Sequence, residues 1–260
     1  MTKEKEIRFY EELSMNAWPA QESYFYDGWV LRFTEGYTKR ANSINPLYSS
    51  SIDLDRKIKN CEAIYEEKGL PPIFKLNDYV YPRDLDSKLE ERGYRKLDEV
   101  ALQILDLENF SLKAYLPDQS MEVVFEEEMT EDWIQAYIEC SGMKDAVSIG
   151  IMTNLLFCIS KEVLTVRLVK GKKCIACAFS VCENHNLGVF DVITRKEFRR
   201  KGFARTLLIE LLRYAKVKKI KTAYLQVVLE NDKALALYKN LGFIDLYRYW
   251  YRCKEENSEC

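Results

Sequence analysis

Residues 191–205 constrain the fold more than any other segment: an apolar strand leads through a short basic loop into an amphipathic helix. A strand that ends where a helix begins leaves the amides of the first helical turn unpaired, and they and the helix dipole favour an anion. Gly202 and Ala204 keep side-chain bulk away from those amides. The cations around the loop are Arg199, Arg200, Lys201 and Arg205. The pattern therefore predicts a partner with closely spaced negative charges, such as a pyrophosphate.

Length and charge limit the function classes. A chain of 260 residues with 47% hydrophobic content can bury a full core and is long enough for two domains. A net charge of -2 argues against nucleic acid or an anionic membrane as partner, so the basic loop is a local feature. The sequence has no apolar run of membrane-spanning length, and its charged first residues are unlike a signal peptide. The cytoplasm is therefore the expected location.

The eight cysteines are expected to be reduced thiols. Cys174, Cys177, Cys182 and His185 have a spacing similar to that of zinc ligands. However, 173–182 has the pattern of a strand, and strand residues three apart face opposite sides of a sheet. We therefore expect no metal site. His185 is the sole histidine and falls in a predicted turn, which argues against a serine or cysteine nucleophile with a histidine base.

The rest of the C-terminal sequence alternates between strand and helix patterns. Strands are predicted at 121–125, 163–169, 174–181 and 187–193, and tight turns join the last three into an antiparallel meander. Thr130 is the predicted N-cap of an amphipathic helix, and a second helical stretch follows it. After the basic loop, a helix leads to a buried strand at 223–228. The two strands that flank this helix are expected to be parallel neighbours.

A second motif lies at 229–243. Asn231 is a favourable helix N-cap, Leu237 and Leu241 lie on the apolar stripe of the helix, and Gly242 suits its left-handed C-terminal cap. A last strand, 244–252, is expected to close the C-terminal domain.

With both motifs placed, the chain from about residue 120 onward resembles the GNAT superfamily of N-acetyltransferases. The two motifs that carry the resemblance are Arg199-x-x-Gly202-x-Ala204 and Asn231-x-x-Ala234-x-x-x-Tyr238-x-x-x-Gly242-Phe243. The resemblance implies an α/β (α+β) fold with a mixed, mostly antiparallel sheet flanked by helices. It implies that the sheet splays between the strands ending at Thr194 and Val228. Acetyl-CoA, the implied acetyl donor, would lie in that gap.

The resemblance also implies which residues contact acetyl-CoA. Backbone groups of Val192, Ile193 and Thr194 are expected at the pantetheine arm and the acetyl group. The other residues of the expected cofactor site are Arg199, Arg200, Lys201, Gly202, Phe203, Ala204, Arg205 and Asn231.

Tyr238 is the residue expected to act in catalysis. A phenol with an ordinary pKa of about 10 is roughly matched to an alkyl thiolate, and in the family a tyrosine at this place protonates the departing thiolate. The base that deprotonates the amine stays open between Asp191, Glu183 and a chain of water molecules.

The expected reaction is acetyl transfer to a primary amine by direct attack in a ternary complex. The expected acceptor is a small molecule or a peptide, without nucleic acid or membrane as partner. The alternative is a non-catalytic acyl-CoA-binding or regulatory protein of the same fold. The acceptor's identity, the acyl-chain preference and the oligomeric state do not follow from these residues.

The first 115 residues carry a second copy of the pattern. If Gly93 is aligned with Gly242, the helix before it and a strand at 73–76 also fall into register with their C-terminal counterparts. We therefore expect two GNAT-like domains, at 1–115 and 120–253, joined near 108–119.

The same alignment shows what the first copy lacks. Leu89 stands in place of Tyr238, and Asp53 and Asp55 stand in place of the basic loop, where they would repel a pyrophosphate. The N-terminal domain is therefore expected not to bind CoA and to serve a structural or acceptor-related role. Its candidates for an acceptor pocket at the domain junction are Trp18, Tyr24, Tyr26, Trp29, Tyr37 and Tyr48.

Overall fold

The computed structural model describes residues 1–110 and 121–254. Contacts divide the chain into two compact units. Unit 1 comprises 1–102, 228–230 and 246–254, whereas unit 2 comprises 103–110, 121–227 and 231–245. The predicted junction at 108–119 lies largely outside the described residues, and so does the boundary placed between 115 and 120.

Helices and strands alternate along the chain. The first half contains α1 (Lys3–Ala17), β1 (Glu22–Tyr26), β2 (Trp29–Phe33), β3 (Ile44–Pro46), α2 (Leu54–Glu67), β4 (Ile73–Asn77), α3 (Leu85–Glu91) and β5 (Tyr94–Asp106). The second half contains β6 (Glu122–Glu126), α4 (Glu131–Ser141), α5 (Ala146–Phe157), β7 (Glu162–Lys170), β8 (Lys173–Glu183), β9 (Asn186–Thr194), α6 (Phe203–Val217), β10 (Thr222–Val228), α7 (Asp232–Leu241) and β11 (Ile244–Lys254).

Unit 1 is built on strands in the order β1-β2-β3-β4-β11. β2 is antiparallel to β3, and β3 is parallel to β4 at Ile44 and Phe74, with α2 as the crossover between them. The core contains fully buried aromatic side chains, among them Trp29, Tyr65 and Phe74. Burial of such large apolar surfaces is the main stabilising term for a unit of this size.

Unit 2 repeats this arrangement with longer strands in the order β10-β9-β8-β7-β6. The predicted antiparallel meander is confirmed, because β7 pairs with β8 and β8 pairs with β9 in antiparallel register. The predicted parallel neighbours are also confirmed: β9 and β10 are parallel and α6 connects them. Strand pairs joined by a crossover helix occur in both units, as the predicted duplication requires.

The last strand differs from the expectation. The second half of β11 pairs with β4, with Tyr249 opposite Asn77 and Cys253 opposite Ile73. These residues of β11 belong to unit 1, and the strand therefore does not simply close the C-terminal domain. Alternation of apolar residues predicts a strand but does not specify which open edge it joins.

A bulge in β8 corrects the sequence argument about the cysteines. The register changes from Leu168–Ala176 to Val169–Cys174, so that Ile175 is an extra residue in β8. Because this residue shifts the alternation, Cys174 and Cys177 both contact Cys140 of α4. The expectation that residues three apart face opposite sides was therefore wrong at this position.

Two features are absent from the described ranges, 1–110 and 121–254. None of the helices there is long and apolar enough to span a membrane. The same ranges contain no group of three or more His, Cys, Asp or Glu side chains arranged to hold a metal ion.

Candidate active site

A bulge in β9 shapes the centre of unit 2. The register with β8 changes from Cys177–Ile193 to Phe179–Phe190, so that Asp191 and Val192 together lie opposite one residue of β8. Asp191 has a φ of 48°, in the left-handed region that residues with a Cβ rarely adopt. Bulges redirect the backbone next to many active sites. Here the bulge immediately precedes Ile193, which was expected to contact the acetyl group.

The predicted gap begins beside this bulge. Paired positions of β9 and β10 run from Asn186–Thr222 to Val189–Leu225, whereas the strands themselves continue to Thr194 and Val228. The two strands are therefore paired only over their first halves. Backbone groups of Val192, Ile193 and Thr194 lie in the half of β9 beyond this pairing, and these residues are half-buried.

The basic loop ends at the N-terminus of α6, as predicted. Gly202 is the N-cap residue with a φ of 84°, and because it has no side chain it cannot cap the first turn. By contrast, α7 begins with the Asn231 side chain, whose Oδ1 accepts from the amide of Ala234 at 3.2 Å. Since Gly202 supplies no such acceptor, the N-cap leaves the first amides of α6 available to an anion.

Positive charge around this helix end is exposed and uncompensated. The residues concerned are Arg199, Arg200, Lys201 and Arg205, all exposed, and none of them forms an ion pair within 1–110 and 121–254. Glu197, the one carboxylate among residues 196–205, pairs instead with Lys173 at 2.7 Å. Arg199 Nε donates to the carbonyl of Thr194 at 2.9 Å, which ties the loop back to the end of β9. The loop thus presents cations and amides together, the combination that binds phosphate groups.

Tyr238 lies on α7 in the same unit. Its ring packs edge to face against Phe243 with 5.9 Å between centroids, and the side chain is half-buried. Burial, with a further contribution from the charge of Asp191, raises the pKa of Tyr238 to about 12. The hydroxyl is therefore protonated throughout the neutral range and is close enough to Asp191 to sense its charge.

Of the two carboxylates considered as bases, one lies within β9 and the other lies opposite its first residue. Asp191 is in the bulge, and its Oδ2 atom is buried. Glu183 lies in β8 opposite Asn186, the first residue of β9, and pairs with Lys161 at 3.0 Å. Glu183 is therefore remote from the gap, and Asp191 is the carboxylate beside it.

In unit 1, the segment that aligns with the basic loop is bound by a carboxylate of the chain itself. The carboxylate of Asp27 accepts hydrogen bonds from the amides of Ser51 and Ile52, each at 2.9 Å, just before α2. Lys57 Nζ, fully buried, lies 3.1 Å from the same carboxylate. These contacts lower the pKa of Asp27, with the hydrogen bond from Ile52 as the main cause. The carboxylate of Asp27 therefore occupies the backbone amides of the segment that aligns with the basic loop of unit 2. Asp27 could not be predicted as part of this site, because no pattern in the neighbouring sequence indicates that it binds the amides of residues 51 and 52.

Burial distinguishes three of the six aromatic residues proposed for an acceptor pocket. Trp18 and Trp29 are buried in unit 1, where packing accounts for them. Tyr48 is exposed and lines a cavity of about 300 Å³ in the same unit, together with Tyr79 and Tyr81, which the sequence had not singled out. The acceptor-pocket hypothesis therefore no longer includes the two tryptophans.

Comparisons with known proteins support the fold along most of the chain. An uncharacterized N-acetyltransferase, YobR, from Bacillus subtilis is 27% identical over 253 residues, covering 96% of this chain and 99% of the relative. A GCN5-related N-acetyltransferase from Kribbella flavida matches 97% of this chain and 95% of its own with a TM-score of 0.70 at 12% identity.

A tandem GNAT protein from the clavulanic acid biosynthesis pathway covers 78% of this chain and 70% of its own, with a TM-score of 0.61 at 11% identity. At such low identities, the solved structures show the fold alone.

Residues 4–252 match the family described as "Probable histone acetyltransferase Rv0428c C-terminal". Since this match covers nearly the whole sequence, the chain belongs to that family, within the GNAT superfamily of N-acetyltransferases.

Proposed function

We propose that this chain is an acetyl-CoA-dependent N-acetyltransferase that acetylates a primary amine of a small molecule or peptide by direct attack in a ternary complex. The observation that carries the proposal is the arrangement within unit 2. The unpaired half of β9, the uncapped start of α6 and the Tyr238 hydroxyl all belong to that unit. GNAT acetyltransferases generally use acyl-CoA donors, which agrees with the anion-binding character of the loop.

Each group has a role in the proposed reaction. The loop amides and cations hold the pyrophosphate, and the backbone of Val192, Ile193 and Thr194 positions the pantetheine arm. An amide of that strand polarises the thioester carbonyl while the amine nitrogen bonds to its carbon. The carbon–sulfur bond then breaks, and Tyr238 donates a proton to the departing sulfur.

The raised pKa of Tyr238 refines this role. The sequence argument assumed a pKa close to 10, whereas the structure raises it to about 12. Against a thiol pKa of about 8.5, complete proton transfer then costs roughly 5 kcal/mol in the absence of substrates. The hydroxyl is therefore a reliably protonated hydrogen-bond donor, whose proton moves only as the carbon–sulfur bond breaks.

We assign the amine's proton to Asp191, directly or through a water molecule. Asp191 lies in the bulge beside the gap, and its charge adds to the effect of burial in raising the pKa of Tyr238. Acceptance of the proton leaves the amine neutral, as attack on a carbonyl carbon requires.

Calorimetric titration of acetyl-CoA into the purified chain tests the donor site without a known acceptor. We expect one site per chain with a Kd on the order of micromolar. A second site would contradict our interpretation of the Asp27 carboxylate in unit 1. No binding would overturn the proposed function.

Turnover separates the enzyme from a non-catalytic acyl-CoA-binding protein. Release of free CoA thiol is measured with a panel of primary amines that includes polyamines and peptides with free N-termini. Acceleration of thiol release by at least one amine class supports the enzyme. Tight binding of acetyl-CoA without amine-dependent release across the panel favours the binding protein.

Tyr238→Phe should slow turnover and spare binding. Removing the donor leaves the departing thiolate without a proton source, so we expect kcat to fall roughly 100-fold. The Kd for acetyl-CoA should stay within about twofold, because the ring and its packing are kept. Tyr214→Phe is the matched control, since Tyr214 lies in the same unit and donates to Glu127 at 2.6 Å. Equal loss of binding and turnover would refute the assigned role.

A further inference from the structure

Three buried thiols that the proposed reaction does not use meet in unit 2. Cys140 lies in the last turn of α4, whereas Cys174 and Cys177 flank the bulge of β8. The Sγ atoms of Cys140 and Cys174 are 3.7 Å apart, and Cys177 also hydrogen-bonds the Cys140 thiol. Each of the three is less than 9% exposed. Thirty-four residues separate the first two thiols along the chain, so the fold itself has paired them.

Arg195 connects this thiol cluster, which consists of Cys140, Cys174 and Cys177, to the proposed cofactor loop. Its Nε donates to the carbonyl of Cys174 at 3.0 Å, and its backbone amide donates to the carbonyl of Ile175 at 2.9 Å. Its guanidinium also pairs with Glu139, next to Cys140, at 2.6 Å. Arg195 directly follows Thr194, the residue whose carbonyl holds Arg199. Two hydrogen bonds therefore connect Cys174 and Ile175 of β8 to Arg195, which immediately precedes the loop.

We propose that Cys140 and Cys174 are an oxidisable dithiol pair whose disulfide weakens acetyl-CoA binding by displacing Arg195. The oxidant is a hydroperoxide such as hydrogen peroxide. One thiolate attacks an oxygen of hydrogen peroxide, the oxygen–oxygen bond breaks, and a sulfenic acid and hydroxide result; the hydroxide takes up the proton that the thiol had lost and becomes water. The second thiol then attacks the sulfenic sulfur and releases a second water. Overall, two thiols lose two hydrogen atoms and the peroxide is reduced to two waters.

Geometry and charge both favour this pair. A disulfide requires about 2.05 Å between sulfurs, so the two atoms need to approach by roughly 1.7 Å. The neighbouring thiols and the Arg195 guanidinium hydrogen-bond the Cys140 sulfur and lower the pKa of that thiol. Thiolates beside cations are the form that reacts with peroxides. The Cys174 end of β8 can move by this amount, because the extra residue in the bulge already interrupts the hydrogen-bond ladder with β7.

The test compares reduced protein with protein treated with hydrogen peroxide. Non-reducing digestion and mass spectrometry should identify a Cys140–Cys174 cross-link. Calorimetry should show that acetyl-CoA affinity falls roughly tenfold and recovers with dithiothreitol. Cys174→Ser should form no such cross-link and keep its affinity in peroxide, whereas Cys177→Ser, the matched control, should still form it. The wild-type cross-link decides the pairing even where a serine variant fails to fold.

Absence of the cross-link, or a cross-link without a change in affinity, would overturn the proposal. The effect of the disulfide on acetyl-CoA affinity rests on the proposed function. Failure of the disulfide proposal and failure of the proposed function would give different results. Reduced protein that does not bind acetyl-CoA would refute the proposed function and the coupling, while the peptide map would still decide whether the dithiol pair exists.

Discussion

Gly202→Glu should abolish acetyl-CoA binding and leave unit 2 folded. Gly202 is the N-cap of α6 with a φ of 84°, and an added Cβ meets nothing within 4 Å, so strain is the only local cost. The new carboxylate would lie at the first amides of the helix and repel the pyrophosphate. Unit 1 supplies the precedent, since Asp27 occupies the amides of Ser51 and Ile52. We expect calorimetry to show a loss in affinity of about 100-fold or more.

Gly171→Glu is the matched control for this substitution. Gly171 lies in the turn between β7 and β8 with a φ of 61°, and a Cβ there also meets open space. The same charge and comparable backbone strain are thus introduced in the same unit, but not at the first turn of α6. We expect both variants to lose similar thermal stability, and Gly171→Glu to keep its acetyl-CoA affinity within about twofold. Comparable loss of affinity in the two variants would attribute the effect to strain and contradict the loop assignment.

Glu11→Ala should cause the largest loss of stability. Lys75 Nζ lies 2.5 Å from Glu11 Oε2, and both side chains are buried in unit 1. Tyr247 donates to the other Glu11 oxygen at 2.7 Å. Burial lowers the pKa of Lys75, and removal of Glu11 would leave its ammonium group without a counter-charge. We expect the free energy of unfolding to fall by about 3–5 kcal/mol in urea titrations.

Two comparisons make this stability test specific. Glu22→Ala removes an exposed partner of Lys68, paired at 2.6 Å, and should cost less than about 1 kcal/mol. The double variant Glu11→Leu with Lys75→Met should recover most of the lost stability, because no buried charge remains. If Glu11→Ala proved as stable as Glu22→Ala, the expectation would be contradicted. Water would then solvate the ammonium group of Lys75 without Glu11, and the buried pair would contribute no more to stability than an exposed one.

Much of unit 2 could be predicted because its signals are local. Asn231 caps α7 and Gly242 ends it with a φ of 97°, as their residue types suggested. These features depend on hydrogen bonds and backbone preferences within a few residues, which a sequence displays directly. The crossover from β9 through α6 to β10 follows from the same kind of evidence together with the handedness of such units.

Other features depend on contacts between distant parts of the chain. The pairing of β11 with β4 and the Asp27 carboxylate before α2 both join residues far apart in sequence. The thiol cluster forms only because Ile175 is an extra residue in β8, which reverses the alternation that the pattern implied.

The order of helices and strands after residue 120, the caps of α4 and α7, and the passage from β9 through a basic loop into α6 could all be predicted from the sequence, because short-range hydrogen bonds and periodic burial specify them. The partner strand of β11, the bulges and the pKa of Tyr238 could not be predicted in this way. Strand pairing depends on which edges meet, and a pKa depends on how far water is excluded. Both are set by the packing of residues that are remote along the chain.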